Sequence, residues 1–126
     1  MDSIRLFDGM YSGMEQVLNL RNQQHILSAT NLANADTPGY KAREIPFETL
    51  LKEVMETSVQ EEAPLDLSEV AVHELEAPPW VRDGNSVNAE RETAKLTSNS
   101  LMYNAVSKGI SARLGMLRFA ASDGKG

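Results

Sequence analysis

The chain has 126 residues, of which 41% are hydrophobic and 6% aromatic, a length and composition that suit one modest domain with few bulky side chains for a core. It contains no cysteine, which excludes disulfides, thiolate nucleophiles and cysteine-ligated zinc. The formal net charge of −6 lies in the middle of the chain, where residues 44–83 hold eleven acidic and two basic residues, so binding to a polyanion such as DNA is not expected.

The apolar pattern disfavours two further classes of protein. No apolar run approaches the roughly 18 to 20 residues that cross a bilayer. The first residues, "MDSIRLFDGM", lack the basic and apolar regions of a secretory signal. We therefore expect neither a membrane span nor a cleaved export signal.

The first predicted element is a long helix over residues 10–35. Gly9 and Gly13 weaken its first turns, so we expect the helix to begin near Gly13. A seven-residue repeat defines a seam, the helix face that meets a partner helix, but Arg21 and His25 make this seam partly polar. Its two lines are Ile4, Tyr11, Leu18, His25 and Leu32, and Phe7, Met14, Arg21 and Ser28.

The stretch "NLANADTPGY", residues 31–40, predicts a sharp end to this helix. A residue before proline avoids the helical region, so the helix ends by about Asp36. The tetrapeptide Thr37-Pro38-Gly39-Tyr40 fits a type II turn, with the fixed φ of proline followed by the positive φ of glycine. The amides of Asn31 and Asn34 are placed to tie this helix end to a neighbouring backbone. The alternative is a simple helix stop with a solvated turn.

The middle segment is predicted to be extended or loop-rich. It holds four of the five prolines and the dispersed acidic residues. Helical periodicity survives from Phe47 to about Glu56, where Leu50, Leu51, Val54 and Met55 would form one face. The stretch "LDLSEVAVHEL", residues 65–75, alternates loosely and predicts a short strand or hairpin arm.

The last predicted element is a long helix that follows "RDGNS" and ends at about Ser122. We expect Asn85 or Ser86 to cap its N-terminus, with Glu90 and Glu92 near the positive end of the helix dipole. Asn99 and Arg113 interrupt its second seam line. The seam residues are Leu96, Tyr103, Ile110 and Leu117, with Val106, Leu114 and Ala120 near the companion line.

These elements predict a mainly α fold, in which two long terminal helices form an antiparallel coiled-coil hairpin around an extended or loop-rich acidic middle segment. The predicted units are residues 1–39, 40–84 and 85–126. A two-helix pair gives each helix one partner, and the polar seam positions reduce what that contact buries. Because such helices depend on tertiary packing, we predict that the chain assembles with other chains. A self-sufficient monomeric coiled coil is the alternative.

Two stretches resemble a known family. "SATNLANADTPGYKAREIPF", residues 28–47, resembles the signature S-N-[IL]-A-N-x-x-T-P-G-[YF] shared by the rod, hook and related axial proteins of the bacterial flagellum. "GNSVNAERETAKLTSNSLMYNA", residues 84–105, is similar to the "G-N-S-V" entry into that family's C-terminal helix and its following "E-x-A-K" and "N-x-L-x-Y" patterns. Thr30 replaces the usual serine, and Asn88 stands where an aspartate is common. Within the family, the first stretch is closest to the proximal rod proteins.

The resemblance implies a structural subunit of the proximal rod of the flagellar basal body. Such subunits assemble helically into a hollow periplasmic drive shaft that links the inner-membrane ring and export gate to the distal rod and transmits torque. They leave the cytoplasm through the flagellar type III apparatus without a cleaved signal. The implied partners are further copies, the proximal rod proteins FlgC and FliE, distal rod proteins, and membrane-ring and export-gate proteins.

The residues that we expect to matter for assembly are those of the turn motif and those of the two helix seams. The turn motif consists of Asn31, Asn34, Asp36, Thr37, Pro38, Gly39 and Tyr40. The helix seams consist of Tyr11, Met14, Leu18, His25, Leu32, Leu96, Tyr103, Val106, Ile110 and Leu117. Two alternatives remain: a soluble coiled-coil adaptor or secretion chaperone, which the acidity and small size favour, and a different proximal rod protein, FlgC.

Enzymatic chemistry has little support in the sequence. His25 and His73 each lack a second ligand at the spacing of a metal site, and in "DGNSVNAE" Val87 occupies a position where a calcium loop needs an oxygen. No nucleophile elbow, P-loop or dinucleotide fingerprint is present. We expect no catalytic residue, metal or cofactor. Trp80, the single tryptophan, is expected either to anchor an interface or to cover a local apolar patch.

Overall fold

A computed structural model of the chain describes residues 2–59 and 70–122. Within them, three helices and two short strands follow one another along the chain. They are α1 (Asp2–Ala33), β1 (Arg43–Glu44), α2 (Phe47–Val59), β2 (His73–Glu74) and α3 (Ala89–Ala121). No helix in these two ranges is long and apolar enough to cross a membrane.

Helix α1 is longer than the sequence predicts. It begins at Asp2 and continues through Gly9 and Gly13, so the predicted start near Gly13 is wrong. A glycine costs about 1 kcal/mol relative to alanine inside a helix. Helix propagation is cooperative, however, so residues on both sides of the two glycines carry the helix across them. The helix ends at Ala33, before the predicted limit at Asp36.

Helices α1 and α3 form an antiparallel pair. Arg21, in the middle of α1, contacts Asn99 of α3. Asn34, just after α1, contacts Asn85, just before α3. From the first contact to the second, the residue numbers rise along α1 and fall towards the start of α3, so the two helices run in opposite directions. The predicted fold class, mainly α with two long terminal helices packed on each other, is confirmed.

The N-terminal cap of α3 differs from the prediction. Its cap is Asn88, whose side chain accepts a hydrogen bond from the Arg91 N–H at 3.1 Å. The predicted cap at Asn85 or Ser86 is therefore wrong. Both of those side chains instead bond to the segment that follows α1, which leaves Asn88 as the polar residue next to the first turn.

Helix α2 starts at the predicted residue, Phe47, and packs on α1. Its buried side chain is Val54, while Leu50 and Leu51 are half-buried. Met55 is 60% exposed, so its predicted place on the packed face is wrong. At 100° per residue, Met55 lies too far around the helix from Val54 to share its contact. The described apolar core is small and consists of Leu20, Ala42, Ile45 and Val54.

The two strands pair antiparallel, with Arg43 opposite Glu74 and Glu44 opposite His73. The Leu75 N–H extends the contact by donating to the Ala42 carbonyl at 2.8 Å. The predicted strand within residues 65–75 thus appears at the end of that range, and its part up to residue 69 lies outside the described residues. This pairing returns the chain from the middle segment to the end of α1.

Candidate functional site

The two sequence stretches that resemble the axial family meet in space. One contains the end of α1 and the turn after it, and the other leads into α3. We use the name motif junction for residues 31–43 and 83–88. Backbone and side-chain hydrogen bonds join these two segments, although more than 40 positions separate their bonded residues along the chain.

The turn in the motif junction has the predicted type II features. Gly39 has a φ of +74°, in the left-handed region that favours glycine. The Tyr40 N–H donates to the Thr37 carbonyl at 3.2 Å, which closes the four-residue turn. Asp36, Thr37 and Pro38 are exposed at the surface of the turn, and Tyr40 is half-buried.

Three bonds join the backbone of the turn to the segment before α3. The Gly39 N–H donates to the Asp83 carbonyl at 2.7 Å. The Ser86 N–H donates to the Tyr40 carbonyl at 3.0 Å, and the Ala42 N–H donates to the Ser86 hydroxyl at 2.7 Å. The turn is therefore held against the entry to α3 rather than left free in solvent.

The Asn85 side chain makes several of the hydrogen bonds between the two segments of the motif junction. Its side-chain Nδ2 donates to the carbonyl oxygens of Asn34, Ala35 and Thr37 at 2.9, 2.9 and 2.8 Å. Its Oδ1 accepts from the Val87 N–H at 2.8 Å, and the residue is 6% exposed. A helix end leaves carbonyls without partners. Asn85 supplies donors to those that follow α1, a role that the sequence did not reveal.

Asn31 makes the contact to a neighbouring backbone that its sequence position predicts. Its Nδ2 donates to the Arg43 carbonyl at 2.8 Å, and its Oδ1 accepts from the Arg43 N–H at 2.9 Å. The side chain thus pairs with Arg43 as a strand backbone would. The Tyr40 hydroxyl also donates to Asn31 Oδ1 at 3.4 Å, and Asn31 is 1% exposed.

Asn34 behaves differently from the prediction. Its side-chain Nδ2 donates to the Thr30 carbonyl within its own helix at 2.8 Å, and its Oδ1 accepts from the Thr37 hydroxyl at 3.2 Å. The Asn34 amide therefore closes the end of α1 locally, and the predicted tie to a neighbouring backbone is wrong for this side chain. The neighbouring segment reaches Asn34 through its main-chain carbonyl, by way of Asn85.

The contact between α1 and α3 is largely polar. Asn99, 4% exposed, donates its Nδ2 to the Arg21 carbonyl at 2.6 Å. The Arg21 guanidinium lies over the ring of Phe47, 4.7 Å from the centroid, and so links α1 to α2 as well. Burial lowers the pKa of Arg21, and the nearby charge of Glu48 opposes that shift. Further buried polar side chains are those of Gln16, Gln24, Ser28 and Glu92.

The predicted seam residues lie along these helices without being fully buried. Eight are half-buried: Tyr11, Met14, Leu18, His25, Leu32, Leu96, Val106 and Ile110. Tyr103 and Leu117 are 40% and 39% exposed. One chain therefore covers its seams incompletely, and their role in assembly stays a prediction.

Helix α3 exposes several more apolar side chains between Leu101 and its C-terminal end. Leu101 is 70% exposed, Met116 61% and Phe119 57%. Burying one side chain of this size is worth about 1.5–3 kcal/mol, so this surface favours contact with another protein. Trp80, 81% exposed on the turn after two prolines, covers no patch among the described residues and matches the anchor alternative better.

The residues that the structure describes contain no group of three or more histidine or acidic side chains placed to hold a metal ion. His25 lies half-buried in α1, and His73 is exposed in β2. The hydrogen bonds that join the two segments of the motif junction connect amides, a hydroxyl and backbone groups. The motif junction is therefore built as a structural joint.

Comparison with known proteins gives consistent matches. A family model described as flagella basal body rod protein matches residues 10–41. The chain is 35% identical over 111 residues to the flagellar basal body rod protein FlgB of Yersinia enterocolitica, covering 76% of this chain and 81% of that protein. It is 33% identical to FlgB of Escherichia coli K12, covering 86% and 90%, and 26% identical to FlgB of Bacillus subtilis, covering 95% and 98%. The similarity extends well beyond the residues of the family model.

Proposed function

Because the chain belongs to the FlgB family of flagellar basal body rod proteins, we propose that it is a structural subunit of the proximal rod. In this role, many copies assemble helically into a hollow shaft in the periplasm. The shaft links the inner-membrane ring and the export gate to the distal rod and transmits torque. The subunit reaches the rod through the flagellar type III apparatus without a cleaved signal.

One observation carries the proposal: the long helices expose apolar surface that a single chain does not cover. Leu101, Met116 and Phe119 lie on one helix and are each more than half exposed. The described core contains four buried apolar residues, and several of the residues between α1 and α3 are polar. Such a chain gains apolar burial mainly by contact with others.

The motif junction supports the part of this proposal that concerns torque. Asn31, Asn85 and Ser86 fix the end of α1, the turn and the start of α3 to one another. A joint of this kind holds the two long helices at one relative angle and fixes the direction in which the chain leaves α1. A subunit that transmits torque requires both properties.

The proposed partners are further copies of the chain, the proximal rod proteins FlgC and FliE, distal rod proteins, and the proteins of the membrane ring and export gate. We propose no catalytic activity and no cofactor. In support, the named relatives are rod proteins, and the motif junction joins amides and backbone groups to each other.

Complementation of a strain that lacks its own copy of the gene tests the proposal. The full chain is expected to restore swimming and to be present in isolated basal bodies, whereas chains that lack α1 or α3 are expected to do neither. A full chain absent from basal bodies would contradict the proposal. So would a purified chain that forms a stable, cooperatively melting helical dimer, which is the behaviour of an adaptor or chaperone.

A further inference from the structure

Helix α3 carries a second heptad seam opposite the one that faces α1. The outer seam consists of Leu101, Ala105, Lys108, Ala112, Gly115 and Phe119. Their spacing alternates between four and three residues, as in a coiled coil. The outer seam is shifted by two positions from the seam that contains Leu96, Asn99, Tyr103, Val106 and Ile110. Two positions correspond to about 200° around a helix, so the two seams lie on opposite sides.

The outer seam is uncovered. All six of its residues are exposed, including Leu101 at 70% and Phe119 at 57%. Three of its central residues, Ala105, Ala112 and Gly115, are small, which allows a partner helix to approach closely. Towards the start of α3 the same side continues as an open surface that includes Ala94, Thr97, Ser98 and Leu101.

The charge of α3 near the outer seam indicates which kind of partner surface can bind there. Residues 101–122 contain Lys108, Arg113 and Arg118 and no acidic residue. If the outer seams of two copies packed against each other, only positive charges of this part of α3 would meet. Their repulsion disfavours such self-pairing. A partner with an acidic surface around an apolar side chain is favoured instead.

The exposed face of α2 has that character. Met55 is 60% exposed, the exposed Glu56 follows it, and the exposed Glu48 lies two turns earlier on the same side of α2, with one basic residue, Lys52, between Glu48 and Met55. Within one chain this face cannot reach the outer seam, because α2 packs on α1 and the outer seam points away from α1. The contact therefore requires a second copy.

We propose that the outer seam of α3 in one subunit binds the Met55 face of α2 in a neighbouring subunit. The two surfaces differ, so the contact is heterologous, and repetition of a heterologous contact that does not close generates an open helical filament. This inference rests on the proposed rod function and identifies one of its subunit contacts.

Disulfide cross-linking tests the contact cleanly because the chain has no cysteine. Two differently tagged copies, one with Ala105→Cys and one with Met55→Cys, are expressed together, and isolated basal bodies are oxidised. A disulfide between the two tagged copies is expected. In the matched control, Ser111→Cys replaces Ala105→Cys; Ser111 is exposed on α3 but lies between the two seams, and this pair is expected to lose the cross-link.

Reversal of single charges is the second test of the proposed contact. Lys108→Glu in the Ala105→Cys copy is expected to abolish the cross-link, and Glu56→Lys in the Met55→Cys copy is expected to restore it. A cross-link equal to that of the Ser111→Cys pair, or one that joins two Ala105→Cys copies to each other, overturns the proposed contact. The tags report incorporation separately: copies present in basal bodies without the disulfide refute the contact alone, and copies absent from them refute the rod function.

Discussion

Asn85 donates its side-chain amide to the carbonyl oxygen of Thr37 at 2.8 Å, across 48 positions of sequence. The same nitrogen also bonds to the carbonyls of Asn34 and Ala35. One buried amide thus bonds to three carbonyls in the segment that follows α1, of which those of Asn34 and Thr37 also accept from the backbone N–H groups of Thr37 and Tyr40. This relationship makes the entry to α3 a part of the C-terminal cap of α1.

Replacement of Asn85 by aspartate is expected to destabilise the chain more than its small change in shape suggests. A carboxylate cannot donate, and it would place negative charge against three carbonyl oxygens. The Ala35 carbonyl would lose the donor that Asn85 supplies, which costs about 1–3 kcal/mol, and the repulsion adds to that cost, so the free energy of unfolding in urea should fall by at least that amount. Asn88→Ala, which removes the ordinary cap of α3, serves as the control and should cost about 1 kcal/mol. An Asn85→Asp chain as stable as the wild type would contradict the assigned role.

Replacement of Gly39 by alanine and replacement of Gly109 by alanine are expected to change the stability of the chain in opposite directions. Gly39 has a φ of +74°, where an added Cβ is strained although no atom lies within 4 Å of it. Gly39→Ala should therefore lower stability by about 1 kcal/mol. Gly109 lies inside α3 with open space around it, and Gly109→Ala should raise stability by about 0.5–1 kcal/mol. Denaturant midpoints measure both, and equal effects would show that the turn imposes no positive φ in solution.

The contrast between these residues shows what the sequence could predict. The turn at Gly39 follows from four adjacent residues, whose local chemistry is strong enough to set the backbone. The role of Asn85 depends on carbonyls some 50 positions away, which no local pattern contains. For the same reason, the sequence assigned Asn85 to the helix that follows it and not to the one that precedes it.

The errors within helices have a related cause. Local propensity placed the start of α1 near Gly13, yet the helix begins at Asp2 because neighbouring turns propagate it. Apolar periodicity included Met55 in the face of α2, whereas the burial of Val54 shows which side meets α1. Periodicity identifies apolar positions, but it does not show which of them one chain covers.

Asn99 is expected to favour one register of α1 and α3 at a cost in stability. It is 4% exposed and donates to the Arg21 carbonyl at 2.6 Å. That carbonyl lies within α1 and keeps its helical bond in Asn99→Leu; the variant also loses the bond from the Arg21 guanidinium to Asn99 Oδ1, which at 3.5 Å is long, and it gains apolar burial. The unfolding midpoint should rise, while the pairing of the helices becomes heterogeneous, as when a buried asparagine is removed from a coiled coil.

Nuclear magnetic resonance distinguishes these two effects of Asn99→Leu. More than one set of backbone amide peaks is expected for α1 and α3, in addition to the raised midpoint. Ser100→Leu, at the exposed neighbouring position, is the control and should change neither. A single set of peaks together with a lowered midpoint would show that Asn99 contributes stability and not register.

Pro38→Ala and Gly39→Val are expected to impair incorporation into the rod more than expression. Pro38 and Gly39 form the turn that follows α1, and Gly39 also donates its N–H to the Asp83 carbonyl at 2.7 Å. A valine at a φ of +74° is sterically unfavourable, so the turn and its bond to the α3 entry should be lost while both long helices remain. Immunoblots of whole cells and of isolated basal bodies measure expression and incorporation separately, and swimming reports function. Pro79→Ala, which alters an exposed proline outside the motif junction, is the matched control and should leave all three near wild type. Wild-type swimming and rod content in both turn variants would show that the motif junction does not require this turn for assembly.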